Sequence, residues 1–482
     1  MGAYLRFYEW RIERQLRRDK TKGVSPPPAS EFHGGVPSAH VSSGDRRQQV
    51  PPLGLREYWY PALPAFRVPK KKPLYWRMLG EEVAFFRDEN GEVAAVNDVC
   101  PHRGASLSAG ACYFKGSITC PYHGAVFDKT GECTAFLSEG PDSKMVGNMK
   151  IRAYPTRTLR GWVFIWMGQG APAAIEKDVP PEFFDAKSTI QFNTYTYWWC
   201  NWIMAIENQG DAHNGFFLHR NALGALNMKR LQRARTPLGP RTKLVNDAAL
   251  IPLMKNQDYY ADASGKEPFH LYYPGVKGVW PIGHWRKWLW ALFKPWSYVL
   301  YNKWRSRYKG VEEWGENMGS ALWHLPSMIR VNNGYYMLTR YAVPVSENLS
   351  RIVYFNHRNR TSVFSTVCQT IWYYLHFNWW FHYNFSGQDG WATAQCRYWT
   401  DEYLSATDSH LVMLRKLVTE RSRDAQLRKV AAANTEVATE ADQRMFEMQR
   451  QAGIEVEDSL EHAAKVEERE MVIDYMRGTG IR

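Results

Sequence analysis

Cys100-Pro-His102-Arg-Gly104, followed by Cys120-Pro-Tyr-His123-Gly124, is the part of this 482-residue sequence from which the rest can be read. Each stretch offers one thiol and one imidazole, as C-x-H in the first and C-x-x-H in the second, with seventeen residues between His102 and Cys120. A [2Fe–2S] centre with two thiolates on one iron and two imidazoles on the other asks for this: one Cys and one His from each of two facing loops. The flanking Pro and Gly residues permit tight, open loops in which backbone N–H groups turn toward the sulfurs. Zinc usually draws on pairs of like ligands, two Cys from a knuckle and two His from a helix. Mixed pairs in two matching Cys-Pro loops point away from zinc. The other cysteines, Cys112, Cys133, Cys200, Cys368 and Cys396, read as ordinary thiols. Seven in so long a chain form no disulfide framework, which fits a reducing cytoplasm.

Around these loops the pattern is of short strands. Val83-Ala-Phe-Phe-Arg87 and Val93-Ala-Ala-Val96 flank the hairpin signal Asp88-Glu-Asn-Gly91. A second turn, Asp128-Lys-Thr-Gly131, follows Ala125-Val-Phe127, and Arg160 to Trp166 reads as a buried closing strand. Residues 54–168 are therefore predicted to be a small all-β domain. With its Asn97-Asp-Val-Cys-Pro-His-Arg-Gly104 and Tyr122-His-Gly124 runs, this segment resembles the Rieske domain of ring-hydroxylating oxygenase large (alpha) subunits.

Outward from there, residues 1–53 read as a basic tail and Gly/Ser/Pro-rich linker. Residues 169–415 are mixed, with a helix expected over 198–209 and strands over 334–343 and 352–356. The segment 416–482, rich in Ala, Glu, Arg and Gln, reads as an exposed helical extension. The formal net charge is +13 and aromatic residues reach 15%. Such a charge admits nucleic acid, an acidic redox partner or anionic membrane as partners. No nucleic-acid-binding signature is present, and the charge is assigned mainly to the tail and loops. No transmembrane span is expected: the most apolar windows, 280–304 and 371–385, are interrupted by Lys, Arg, His, Asn and Pro. The Trp- and Lys-rich stretch 280–309 could meet lipid, cover a substrate entrance or form a subunit contact, the last two being preferred.

A second iron site separates an electron carrier from an oxygenase. Non-haem Fe(II) that activates O2 takes two His and one carboxylate on one face. Glu207-Asn-Gln-Gly-Asp211-Ala-His213-Asn-Gly-Phe-Phe-Leu-His219 is similar to the family's Asp-x-x-His-x-x-x-x-His stretch. The resemblance implies His213 and His219 as metal ligands, although the spacing here is Asp-x-His-x5-His. Six positions on a regular helix lie about 120° apart, so the rings converge only if the helix breaks, and Gly215 offers the place. Asn214 takes the usual first ligand position if Asp211 is the anchor. Asp389, in Asn384-Phe-Ser-Gly-Gln-Asp389-Gly-Trp, resembles the family's late carboxylate; Asp401, Glu402 and Asp408 compete, Asp408 looking more like a helix N-cap. The resemblance gives Asp211 a catalytic role as the bridge between a cluster histidine of one subunit and an iron-bound histidine of the next. Glu207 is the alternative bridge.

The resemblance implies an α+β fold: the Rieske domain, then a helix-grip-like catalytic domain with an antiparallel sheet, then the helical extension. It implies a terminal oxygenase with a [2Fe–2S] Rieske cluster at Cys100, His102, Cys120 and His123 and a mononuclear non-haem Fe(II). Electrons would come from NAD(P)H through a separate reductase, with or without a ferredoxin, to hydroxylate a hydrophobic ring-containing substrate with O2. The assembly implied is a homotrimer, with or without a small beta subunit. The rival from another class is a Rieske electron carrier or regulatory protein lacking a working second site.

Overall fold

The computed structural model describes residues 10, 12–14, 16–17, 49–208, 218, 243–245, 248–252, 320–332, 336–396, 402, 404 and 408–429. Asp211, His213, His219, Asp401, the stretch 280–309 and residues 430–482 lie outside them.

The first ten strands make three small sheets. β1 (Trp59–Pro64), β10 (Trp162–Trp166) and β9 (Thr156–Leu159) form one. β2 (Leu74–Met78), β3 (Glu81–Arg87), β4 (Val93–Asn97) and β8 (Ala153–Tyr154) form the second. The third holds β5 (Ile118–Thr119), β6 (Ala125–Phe127) and β7 (Cys133–Phe136). The predicted hairpin is β3–β4, closed as expected: Asp88 Oδ1 accepts from the Asn90 and Glu92 amides, each at 2.9 Å, and Gly91 takes φ +82°. At the second turn Gly131 takes φ +84°, and a Cβ there would lie 2.0 Å from the Ile151 carbonyl oxygen, so only glycine fits.

The second part is one seven-stranded antiparallel sheet, ordered β11 (Thr189–Trp198), β17 (Leu349–Asn359), β16 (Met337–Ser346), β15 (Met328–Asn332), β14 (Ser320–His324), β13 (Ala248–Pro252) and β12 (Lys243–Val245). A helix α1 (Trp202–Glu207) follows β11, capped by Asn201, whose side-chain oxygen accepts from the Ile203 amide at 3.1 Å. The expected helix over 198–209 thus loses its first turn, because Trp198 completes β11 opposite Ser350. After β17 come α2 (Val363–Trp372), a π-helical run over Tyr373–Phe385, α3 (Ser386–Gln395) and α4 (Ser409–Lys416). Asp408 does stand at the N-cap position of α4, but its side chain makes no cap hydrogen bond there.

One apolar core runs through both parts, with Trp162 edge-on to Phe355 (5.0 Å) and Phe164 edge-on to Phe183 (5.5 Å). Buried ion pairs rivet the join. Glu182 accepts from Arg330 Nη2 at 2.6 Å, both side chains fully enclosed. Asp178 accepts from the Trp59 amide (3.0 Å) and from both terminal nitrogens of Arg423 (2.6 and 3.0 Å). The basic N-terminal tail contributes too, with residues 12–14 and 16–17 helical. Glu13 is buried, accepts from Arg67 (2.7 and 2.9 Å) on the first part, and accepts from the Tyr195 hydroxyl (3.1 Å) on β11.

Candidate metal centre

The two Cys-Pro loops fold alike. In each, the Cys amide donates to the carbonyl five residues on (Cys100 to Ala105, 2.9 Å; Cys120 to Ala125, 2.7 Å). In each, the Gly four residues on donates back to the Cys carbonyl (Gly104, 2.8 Å; Gly124, 3.2 Å) with positive φ, +74° and +71°. This closure directs the amides of His102 and Arg103 at the Cys100 sulfur and those of Tyr122 and His123 at the Cys120 sulfur. Asp98, wholly buried, braces the first loop by accepting from the Ser108 hydroxyl at 2.7 Å.

The loops bring all four sequence-predicted ligands together. Cys100 and Cys120 are 1% and 3% exposed and lie within hydrogen-bond reach of each other. The His102 and His123 rings stand 4.6 Å apart at 73°. The Cys100 thiol donates to Cys120, which lowers that sulfur's pKa, while the same bond and burial push Cys100 up, so the pair favours sharing one proton. A sulfur pair ringed by four amide donors, opposite a pair of imidazoles, suits a centre taking two thiolates on one iron and two imidazoles on the other. Among the described residues no three His, Cys, Asp or Glu converge as around a single ion, and two ligands per iron do not require it.

Both imidazoles are half-buried, so the centre sits under the surface with its histidine side outward. Three neighbours were not singled out from sequence. Phe136 meets His102 edge-on at 5.2 Å, Tyr122 stacks on His123 at 3.8 Å, and the Arg103 guanidinium lies 5.9 Å from the Tyr122 ring centre. Tyr122 and Arg103 lie inside the motif itself, whereas nothing in the sequence around Phe136 signals its place.

Of the second constellation, Asp211, His213 and His219 lie outside the described residues. Asp389 is buried in the first turn of α3. That helix packs on α1 and on β11, pressed so close that a Cβ at Gly390 would lie 2.7 Å from the Trp198 indole. Its inner face therefore meets the β11–α1 corner that leads directly into residues 209–219. Glu207 is held by Arg415, whose Nε and Nη2 donate to its two oxygens at 2.6 and 3.1 Å, while Nη2 also donates to Glu402 at 3.2 Å. The Glu207 carboxylate is thus taken up in an ion pair, as is Glu402.

The aromatic run before Asp389 forms wall and core. Tyr373, Phe377, Phe381 and Phe385 stack one on the next at 5.0 to 5.7 Å, and Tyr373 lies face to face with Phe192 of β11 at 4.6 Å. His382 is buried here, with Nε2 3.0 Å from the Asn356 amide nitrogen; burial first, then Arg340, lowers it to about 3, so it is neutral.

Residues 58–155 match the Rieske [2Fe-2S] domain family. Among curated proteins, the terminal oxygenase component of carbazole 1,9a-dioxygenase from Sphingomonas sp is 31% identical over 172 residues, 36% of this chain and 45% of that protein. Chlorophyllide a oxygenase, chloroplastic, of Chlamydomonas reinhardtii is 38% identical over 133 residues, 27% of this chain and 20% of its own length. The chain thus spans less than half the length of these curated relatives. Among solved structures, the terminal oxygenase of carbazole 1,9a-dioxygenase from Nocardioides aromaticivorans superposes with a TM-score of 0.61 at 23% identity, over 79% of this chain and 97% of that one. A complex between oxygenase and ferredoxin in carbazole 1,9a-dioxygenase gives 0.62 at 22% identity, over 80% and 96%.

Proposed function

We propose, from the Rieske [2Fe–2S] domain match over residues 58–155 and the fold shared with terminal oxygenases, that this chain is the terminal oxygenase of a multicomponent system. It takes electrons from NAD(P)H through a separate reductase or ferredoxin and hydroxylates a hydrophobic ring-containing substrate with O2, by one hydroxyl or two. The observation that carries this is the pair of matched loops facing two thiols and two imidazoles, joined to a second, sheet-based part that follows the oxygenase fold. A carrier of electrons alone has no use for that second part.

When bound, the two metal centres supply one-electron storage and O2 activation respectively. The chain's own residues do the rest. Cys100 and Cys120 would hold one iron and His102 and His123 the other, with the four loop amides stabilising added negative charge on the sulfurs. The outward edges of His102 and His123 would be the part of the centre open to a redox partner. His213, His219 and Asp389 would hold the mononuclear iron, with α3 delivering Asp389 to the end of α1. Asp211 would link that site to the cluster histidine of a neighbouring subunit in a trimer. Glu207, tied to Arg415, serves as a structural anchor instead. The aromatic rings along Tyr373–Phe385 would exclude water and favour an apolar ring. Among the described residues no helix is long and apolar enough to cross a membrane, and we place the activity in the cytoplasm.

The test is aerobic turnover with a surrogate reductase and a panel of ring compounds, read by mass for 18O from labelled O2, alongside iron analysis. About three irons per chain and labelled product are expected; two irons and no incorporation would leave an electron carrier.

A further inference from the structure

A surface helix ordinarily carries charge on its outer face. Here, from Thr361 to Gln388, the sequence holds no Lys, Arg, Asp or Glu, yet one side of this run is open. Val363 (82% exposed), Phe364 (80%), Val367, Ile371, Tyr374 and Leu375 (61%) recur at helical spacing and form one apolar stripe over three turns. The opposite side is sealed against the protein by Gln369, Tyr373 and Phe377.

The helix also offers a partner almost nothing to hydrogen-bond. Thr366 Oγ1 donates to the Ser362 carbonyl and Thr370 Oγ1 to the Thr366 carbonyl, each at 2.8 Å. Ser365 Oγ accepts from Gln369 Nε2 at 2.7 Å, and Ser362 Oγ accepts from the Ser365 amide at 3.1 Å. A protein interface commonly carries about one hydrogen bond per 100–200 Å² around its apolar centre. The Tyr374 hydroxyl is bonded inward to the Asn193 backbone of β11, and a face whose hydroxyls are taken up by the protein itself suits hydrocarbon, which has no groups to exchange. Charge agrees with this: the exposed Lys187 and Arg360 outnumber the one exposed carboxylate beside them, Asp185, Arg360 sits at the start of the stripe with its amide bonded to the Ser188 carbonyl, and the whole chain carries +13. Anionic lipid attracts such a molecule before its apolar groups sink in.

We propose that the exposed face of Val363–Leu375 docks on an anionic lipid surface, making the protein a peripheral membrane protein with this helix lying in the plane of the headgroups. The docking stands independently of the oxygenase reading. It rests on the outer side of the helical run that, further along, carries Asp389.

The experiment is flotation of the full chain with vesicles of phosphatidylcholine containing phosphatidylglycerol, and with phosphatidylcholine alone. It compares the wild type with Phe364→Asp/Ile371→Asp, two positions open to solvent, folding being checked by circular dichroism. The wild type is expected to float with anionic vesicles, and the variant to lose about 10-fold or more in partition, each large apolar group contributing one to two tenfold steps. A milder variant, Phe364→Ala, should fall between. Three results overturn the proposal: a wild type that does not float, a folded variant that floats as well as the wild type, or light scattering that shows a wild-type oligomer dissociated by the variant while vesicles are ignored. In that last case the stripe is a protein contact. Failure of turnover, with flotation intact, would count against the oxygenase reading alone.

Discussion

Replacing either loop glycine by alanine should loosen the cluster site, and the two should differ. Gly104 and Gly124 play the same part in their loops, each with positive φ, a conformation costing an L-residue about 1–2 kcal/mol. Their surroundings are unlike. A Cβ at Gly104 would meet nothing within 4 Å, whereas one at Gly124 would lie 2.8 Å from Leu137 Cβ. Leu137 cannot simply swing aside, because the atom struck is its Cβ and its amide donates to the Gly124 carbonyl at 3.1 Å. Relief therefore moves backbone, at a further cost of about 1–3 kcal/mol. Gly104→Ala should speed cluster loss by about 10-fold, and Gly124→Ala by about 10-fold or more beyond that, since 1.4 kcal/mol is a factor of ten. The assay is the bleaching of visible absorbance in the full holoprotein under excess chelator, which reports opening of the loops. Asn tolerates the left-handed region, so Gly104→Asn should recover most of the loss and Gly124→Asn should not. Equal effects at the two positions, or rescue at 124 alone, would refute the reasoning.

Three further outcomes follow from the packing. Glu182→Ala leaves Arg330 buried without its carboxylate and should destabilise by about 3–5 kcal/mol in denaturant unfolding, while the paired change Glu182→Leu with Arg330→Met should recover much of it. His357 is enclosed on β17; burial first, then Arg330 and Arg160 against Glu182, lowers it to about 3. The unfolded state therefore takes up a proton that the native state refuses. Stability should be unaffected above about pH 6.5 and fall progressively as pH drops from there toward 3, a slope that His357→Gln should flatten. Arg415→Ala removes the cation shared by Glu207, at the end of α1, and Glu402. Iron in the second site should fall by metal analysis while the visible spectrum of the cluster stays unchanged; loss of both together would show general unfolding instead.

The cluster site was legible because its ligands are local: two pentapeptides carry four ligands, and Pro and Gly spell out the loop shape. The β3–β4 hairpin was legible through Asp88 and Gly91 for the same reason. Most of the seven-stranded sheet was not. β16 and β17 were foreseen in part, as the strands expected over 334–343 and 352–356, but β11 to β15 were not: β15 is buried at four of its five residues, and a strand covered on both faces shows no alternation of period two. Arg330, Arg340 and Arg351 lie inside that sheet, fully buried, where an arginine in sequence suggests surface. Arg340 is accommodated by the Ala205 carbonyl at 2.7 Å and the face of Trp198, and Arg351 by the face of Trp76 at 4.0 Å, partners that only the fold brings near. Glu13 is one of three acidic residues, with Glu9 and Asp19, among the first 22 residues of a basic tail, and nothing in the sequence marks it as the docked one. Helix α3 was approached through the Asp389 motif, but its closeness to α1 depends on Gly390 meeting Trp198, a contact across almost two hundred residues.

The decisive measurement is a redox titration of the purified full chain followed by low-temperature electron paramagnetic resonance. With imidazoles on one iron, a midpoint within about −150 to +300 mV and a strongly anisotropic reduced signal are expected, both lost in Cys120→Ser. A midpoint near −400 mV, or zinc in place of iron at Cys100, His102, Cys120 and His123, would contradict the ligand set from which every later step is drawn.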